Sequence, residues 1–495
     1  MALPDANTPW PPPQYAPLYD EMRLDDAWYS GDRRRLATVY QGQQRREDGR
    51  RRLWGRGRPR PGHHHQDGRL HVPLPADIAT TSADLLFSEP PVLSVDTPAA
   101  QARLDELTDA DGLANTLLEA AEVAAALGGV YLRASWDTAL GPRPMLTAVH
   151  ADAAAPEFRW GRLTAVTFWR ELVCDGAAGG TVLRHLERHE VGRIVHGLYQ
   201  GTPDTLGTRV PLTEHPDTAA LVDSLGPAGD TIETGLDQLT ASYVPNIRPN
   251  RRHRGSPFGR SDYQSAHDLF DALDETWSSW MRDIRLARAR LIVPDGYLRD
   301  HGPGRGASFD DDREIWQTLN IPPTEAGGAG ITLSQFAIRV DEHERTAATI
   351  TRQAVQLAGY SAQSFGIGDE TAATATEVTA RERRSMITRD KKGRYWGPAV
   401  ADMLHVLLQL DRQLFTPSLV PERPRIAFGD SVSEDPQSVA QTLSLLQQAQ
   451  AVSVDTKVRI LHPDWDEHAT AAEVDRILTE TGQAVPDPLQ AGVLD

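Results

Sequence analysis

The run RHLERHE, residues 184–190, gathers residue types with metal-binding chemistry at short spacing. Side chains of a β-strand alternate between faces, so His185, Glu187 and His189 fall on one side and Arg184 and Arg188 on the other. Two imidazoles and a carboxylate are zinc-ligand types, and with an open coordination position they would suit a metal-dependent hydrolase. A structural zinc site needs further ligands, however, and a catalytic one needs a pocket. The competing reading is a polar strand that is solvated or lies between subunits, and no metal site is expected. Asp310, Asp312 and Glu314 echo a calcium loop, but Arg313 and Trp316 break the spacing and the glycine is missing. The triplet His63, His64 and His65 sits in a Gly/Pro/Asp loop and cannot turn three rings onto one ion. The lone Cys174 reads as a small buried residue rather than a nucleophile. GPGRG at 302–306 resembles a nucleotide loop only superficially, and no G-x-x-x-x-G-K-[ST], G-x-S-x-G or H-E-x-x-H occurs. Neither catalytic residues nor a cofactor site is expected, and the chain reads as no enzyme.

Composition narrows the class. With 495 residues, 40% hydrophobic and 24% charged, the chain is long enough for several domains of ordinary globular type. It has no run of 18 apolar residues to span a membrane and no basic-then-apolar leader. A single cysteine excludes internal disulfides and fits a reducing compartment. The net charge of −18 argues against tight gripping of DNA, since phosphate neutralisation supplies most non-specific affinity. It leaves room for a surface past which DNA slides. Among the basic residues lysine appears only at 391, 392 and 457.

The elements that must carry these residues follow from periodicity. Residues 261–293 repeat apolar side chains every three or four positions, with Leu273, Trp277, Trp280 and Ile284 on one stripe. The spacing predicts a helix of roughly 30 residues, about 45 Å long, capped at Ser261 and stopped by Pro294. Asp268, Asp271, Asp274 and Glu275 fall on its exposed faces near the start, with arginines towards the end. A helix so charged and half apolar needs neighbours. An irregular Gly-rich stretch at 294–335 follows, then a second helix at 336–359, a Gly/Ser/Thr-rich hinge at 360–374, and a long helix at about 375–415. Before these come a Pro-rich arm (1–19) expected to be disordered or extended, one helix over 20–44, and an arginine run at 33–60. That run reads as a solvated loop or as an arm touching nucleic acid or an acidic partner. Helices at 73–91 and 109–127, a strand at 128–137 and a β-rich region at 145–215 complete the first half. The last sixty residues read as short helices at 436–451, 453–461 and 467–481.

Several segments carry, in order, a resemblance to portal proteins of tailed double-stranded-DNA bacteriophages, of the siphophage type found on actinobacterial and other Gram-positive hosts. They are PLPADIATTSADLLFSEPP (73–91), GGVYLRASWD (128–137), LRHLERHEVGRIVHGLY (183–199), NRRHRGSPFGRSDY (250–263), ATATEVTARERRSMITRDKKGRYW (373–396) and LHPDWDEHATAAEVDRI (461–477). The resemblance implies an α+β portal fold assembled as a ring, usually of twelve subunits, at one capsid vertex. On that template residues 20–260 are the β-rich wing, 261–293 and 336–359 the stem helices, and 294–335 the clip. The tunnel loop is 360–374, with Gly366, Gly368, Thr371, Thr374 and Thr376. Residues 375–429 lie beneath a helical crown at 430–481, with a tail at 482–495. Leu273, Trp277, Trp280 and Ile284 would pack neighbouring stem helices. Implied partners are further copies of the chain, the terminase large subunit, head-completion and adaptor proteins, major capsid and scaffolding proteins, and double-stranded DNA passing non-specifically. Localisation would be the virion, with assembly in the host cytoplasm. The alternative is another virion structural protein, a head–tail adaptor or minor head protein.

Overall fold

The computed structural model describes residues 3–40, 69–173 apart from 139, and 180–287 apart from positions within 223–228. Beyond these it describes strands at 290–292, 299–300, 307–308 and 332–334, then 338–367, 375–429, 443–462 apart from 450, and 467–481. The arginines from Arg45 to Arg60, the histidine triplet, Cys174, the GPGRG run and Asp310, Asp312 and Glu314 lie outside the described residues. The chain forms two compact units, Met1–Ala372 with Thr379–Gly429, and Ala373–Val378 with Asp430–Asp495.

The first unit opens with α1 (Ala16–Ser30), α2 (residues 33–40) and α3 (Leu74–Phe87), then β1 (Val92–Ser94), α4 (Pro98–Ala110) and α5 (Leu113–Leu127). The β-rich part runs β2 (Gly129–Trp136), β3 (Pro144–His150), β4 (Ala154–Arg159), β5 (Arg162–Leu172), β6 (Val182–Glu190), β7 (Arg193–Thr202) and β8 (Thr205–Val210). It ends with the short α6 (Pro216–Ala219), β9 (Thr231–Glu233) and β10 (Ala241–Pro245). Then come α7 (His267–Leu286), β11 (Arg290–Ile292), β12 (Arg299–Asp300), β13 (Ala307–Ser308), β14 (Thr332–Ser334), α8 (Val340–Ala358), α9 (Ala375–Leu414) and β15 (Arg425–Ala427). In the second unit, α10 (residues 443–448) precedes α11 (Val454–Leu461) and α12 (Glu467–Glu480), which pack together. The architecture is α+β.

Antiparallel strands build a six-stranded sheet ordered β4-β5-β6-β7-β8, with β9 added on β7, and a three-stranded sheet ordered β10-β2-β3. Two apolar clusters hold the helices to them. One joins α1, α3, α5, the first half of α7 and the end of α8. The other joins α3, α4, α5, β2, β10 and α9. Both draw on α5, whose alanines Ala120, Ala121, Ala124 and Ala125 let other elements approach closely. α5 ends at Gly128, which adopts a left-handed φ of +85°, and a Cβ on Gly259 would sit 2.2 Å from the Gly128 carbonyl oxygen. Two of the segments singled out in the sequence therefore meet backbone to backbone at glycines that admit no side chain.

Several elements depart from the sequence-based expectation. The 20–44 helix is two helices, because Gly31 turns left-handed (φ +62°) and the Asp32 carboxylate accepts the Arg34 and Arg35 N–H groups at 2.8 and 2.9 Å. The N-terminal arm is ordered over residues 3–15. Leu3 and Trp10 are buried, Asn7 and Trp10 donate backbone hydrogen bonds to Gly207 and Asp204, and Trp10 meets Trp169 edge-on at 5.2 Å. The helix expected over 261–293 spans 20 residues, about 30 Å. Residues 262–266 are turns, because Asp262 is committed elsewhere, and residues 290–292 leave to pair with 332–334. Ser261 does not cap the helix; its Oγ accepts the Tyr263 N–H. The second helix starts at Val340 rather than 336.

The commitment of Asp262 explains how α3, α7, α8 and α9 are held. Lys392, on α9 and fully buried, donates its three ammonium hydrogens to Asp262 Oδ2 (2.6 Å), Ser82 Oγ (2.6 Å) and Tyr360 Oη (2.8 Å). Tyr360 Oη donates to Asp262 Oδ2 (2.8 Å), and Asn246 Nδ2 to Asp262 Oδ1 (2.8 Å). Burial pulls the Lys392 pKa down, and the adjacent carboxylate opposes that pull. A compact ammonium fits three convergent acceptors, whereas a planar guanidinium would not. Removing one partner of a buried pair strands the other, so Lys392→Met should cost about 3–5 kcal/mol, and the double change Lys392→Met with Asp262→Asn should recover part of it. Denaturant melts of the full chain check this; a wild-type midpoint for Lys392→Met would refute it.

Candidate functional site

α7 and α8 form an antiparallel pair whose two ends differ. At the proximal end Phe270 and Leu273 are buried with Val355 and Ala358. Of the acids expected on exposed faces, Asp268 is exposed, while Asp274 and, in part, Asp271 are drawn inward. Asp274 is buried and accepts Tyr40 Oη (2.6 Å) and the Val72 N–H (2.8 Å), with His71 Nδ1 at 2.9 Å. Arg69 pairs with Asp271 (2.8 Å) and Glu275 (3.4 Å). Leu273 therefore belongs to the core of its own chain. Trp277 and Trp280 are half-buried, 5.1 Å apart, and Trp280 lies parallel to His343 of α8. Asp283 ties the helices by accepting from Arg339 (2.9 Å) and His343 (3.0 Å). Beyond that tie the stripe emerges: Ile284 and Leu286 are each 42% exposed, beside exposed Ile338 and Val340. β11 and β14, paired antiparallel, close the insertion between the two helices.

The loop after α8 leaves from a clamped root. Gly359 ends α8 at φ +105°, and its carbonyl accepts Thr388 Oγ1 (2.6 Å). Tyr360 enters the Lys392 network, and Ser385 Oγ accepts the Ser361 N–H (2.9 Å) and bonds Ser364 Oγ (2.8 Å). Ser385, Thr388 and Lys392 are spaced to share one face of α9. A single 3-10 turn, Ala362–Phe365, then ends at Gly366 (φ +67°). Gly368, Thr371 and Thr374 lie outside the described residues, and Thr376 falls in the first turn of α9. Sequence reasoning missed Ser385, Thr388 and Lys392. The signal was available: a buried-type hydroxyl–hydroxyl–lysine stripe in a chain that otherwise uses arginine.

The RHLERHE run is strand β6, in the interior of the six-stranded sheet, neither solvated nor at a chain surface. His185, His189, Arg184 and Arg188 are all buried. The two arginines do point away from the histidines: Arg184 pairs with Glu171 (2.8 Å) and Arg188 with Glu157 and Glu190 (2.7 Å each). On the other face the three candidate ligands do not converge. Glu187 accepts Arg133 (2.7 Å) and lies 2.8 Å from His189 Nε2, while His189 Nδ1 meets Thr240 Oγ1 (2.6 Å). His185 Nε2 faces His196 Nδ1 of β7 at 3.2 Å, the rings nearly parallel at 7° with centroids 5.4 Å apart. Those values describe two rings meeting edge to edge over one shared hydrogen, so one imidazole lone pair is spent on the other ring and a single one remains between the two histidines. Among the described residues no group of three His, Cys, Asp or Glu could hold a metal ion. A cavity of about 450 Å³ lies beside the pair, lined by Arg133, Trp136, Trp169 and Arg170. Burial lowers the His185 pKa to about 4, with His196 adding to the shift, and burial lowers His196 as well. For Glu187 burial acts upward, but Arg133 and His189 outweigh it and hold the carboxyl low.

No protein-family model matches the chain, and no curated protein does. Solved structures of gene transfer agent particles include similar chains. One from the virion of a native particle is 15% identical with a TM-score of 0.42, covering 82% of this chain and 95% of that one. One from the neck of an empty particle, computed with C6 symmetry, is 14% identical with a TM-score of 0.41, covering 79% and 89%. One from the neck of a native particle, computed with C12 symmetry, is 14% identical with a TM-score of 0.39, again covering 79% and 89%. No helix among the described residues is long and apolar enough to cross a membrane.

The histidine pair sets an acid limit. Its folded pKa values lie below the unfolded one, so the stability it confers is complete above about pH 6.5 and is lost as pH falls towards 4. The shift of His185 corresponds to about 3 kcal/mol. Thermal midpoints measured between pH 7 and 4.5 should fall, and the double variant His185→Gln with His196→Gln should flatten that fall; an equal slope in both proteins would disprove it.

Proposed function

We propose that the chain is a portal subunit: a non-enzymatic protein that closes into a ring, of twelve copies on the family template, at one vertex of a virion. DNA would pass through its central channel during packaging and ejection. The observation that carries this reading is the α7/α8 pair, which buries its base in its own chain, bears an insertion at its tip, and leaves Ile284, Leu286, Ile338 and Val340 exposed between the two. An apolar end on a projecting helix pair gains burial only from a neighbour, and repetition of one heterologous contact generates a ring. The net charge of −18 suits a passage that a polyanion must traverse without adhering. The hydroxyl-clamped root at Gly359–Ser364 suits a loop that approaches DNA from a fixed base.

On this reading the insertion docks terminase and, later, head-completion proteins, while the β-rich region meets the capsid and scaffold. Force must come from a separate nucleotide-hydrolysing partner, since this sequence carries no phosphate-cradling loop. An adaptor or minor head protein would need no helix–insertion–helix unit.

Electron microscopy of the purified full chain should show rings with a central hole. Ile284→Asp changes a residue already exposed in the single chain, so it should leave circular dichroism unchanged and abolish rings. Trp280→Asp should do the same with some loss of stability, because it also disturbs His343. Intact rings from Ile284→Asp would sink the stem placement, and monomers from the wild-type chain at high concentration would sink the function.

A further inference from the structure

The tip of the β4–β5 hairpin combines three locally unfavourable features. Trp160 is 94% exposed, so nothing in the chain compensates its removal from an apolar environment. Its φ of +53° is left-handed, a region that a bulky residue adopts at a cost of about 1–3 kcal/mol. Its neighbours Arg159 and Arg162 stand directly opposite each other across the strands, a like-charge pairing that weakens a hairpin, and neither has an acidic partner among the described residues. Asparagine–glycine would make this turn better; Trp160–Gly161 keeps the turn and adds a projecting indole between two guanidinium groups. Exposed Trp and Arg together are what binding hot spots are made of.

The surface that fits such a tip is a recess of mixed polarity with an acidic edge, able to take both the ring and the N–H of an indole. This chain has one: a groove of about 510 Å³ among α1, α5 and β3, where Tyr29 and Val123 lie beside Thr116, Thr147 and His150, with Glu119 and Glu122 along α5. Glu119 is exposed, and Glu122 accepts only the Tyr29 hydroxyl (2.7 Å); neither has a cationic partner among the described residues. Asp84 lies close enough to Glu122 for burial and that charge together to raise its pKa. The tip cannot reach its own groove. His150 lines the groove at the end of β3, and β4 carries the chain about 20 Å away before Trp160.

We propose that the Arg159–Arg162 tip of one copy docks in the α1/α5/β3 groove of a second copy, with Trp160 in the recess and the arginines on Glu119 and Glu122. The contact is head-to-tail, so every copy offers one tip and one groove.

The test uses the full-length protein and sedimentation velocity over a concentration series. Trp160→Ala and Arg162→Glu should each raise the concentration for half-assembly about tenfold or more, and Glu119→Arg should do likewise. Combining Arg162→Glu with Glu119→Arg restores the complementary pair on every copy and should bring assembly back to within about threefold of wild type. In a Cys174→Ser background, Trp160→Cys with Glu119→Cys should give a disulfide-linked ladder on oxidation. Unchanged assembly of Trp160→Ala, no recovery in the charge swap, or assembled protein without a ladder each overturns the contact. A ladder from particles that lack a central hole would uphold it while refuting the portal reading.

Discussion

The buried ammonium of Lys392 and the carboxylate of Asp262 are the constraint on which the helical half of the first unit depends. Around one charged pair meet the turn that launches α7, the second residue after α8, the middle of α9, a hydroxyl of α3 and the amide that follows β10. Apolar packing alone would let these elements slide over one another, since burial has no direction. A desolvated pair does not tolerate sliding, because any displacement that lengthens one of its bonds leaves a charge in a low-dielectric interior. Buried pairs often add little net stability over an apolar substitute of the same shape; what this one fixes is the relative setting of the groups it bonds.

The same principle recurs in the β-rich half, where polar side chains that look suited to a surface are found inside. Arg184 and Arg188 are charged on a central strand because each finds carboxylates there, and Arg184 also donates to the Thr202, Pro203 and Thr205 carbonyls of the β7–β8 turn. On the opposite face burial holds the pKa values of His185 and His196 below the usual histidine range. The two solutions cover the two faces of the sheet with groups whose geometry is fixed by hydrogen bonds rather than by shape.

Much of this was legible in the sequence. The α+β class, the strand at 128–137, the long helix near 375–415 and the two helices flanking an insertion follow from apolar periodicity and from glycine and proline positions. Helix ends were less legible. Nothing in SDYQSAH announces that Asp262 will be held by Lys392 some 130 positions later, so the first turn of the expected helix is lost to a tertiary bond. At the other end, Arg290–Ile292 could extend a helix, but the strand at 332–334 offers it a ladder. The arm at 3–15 looked featureless because its anchors, Leu3 and Trp10, are isolated apolar residues among prolines and only the sheet gives them a purpose. RHLERHE was legible in its alternation and not in its burial, since alternation is silent about what covers each face.

Lys391 and Lys392 are adjacent, and one is exposed while the other is sealed. Neighbouring residues on a helix point about 100° apart, so the three hydroxyl- or ammonium-bearing positions of α9 act as the wards of a key, turning only at one rotational setting. A single residue deleted between Ser385 and Lys392 would present Gly393 to a pocket cut for an ammonium, whereas one inserted there would present Lys391. Lineages of this protein should therefore vary in length within the insertion between β11 and β14, yet not shorten the interval from Ser385 to Lys392. The rotational phase of one helix would then be an inherited trait that no single contact reveals.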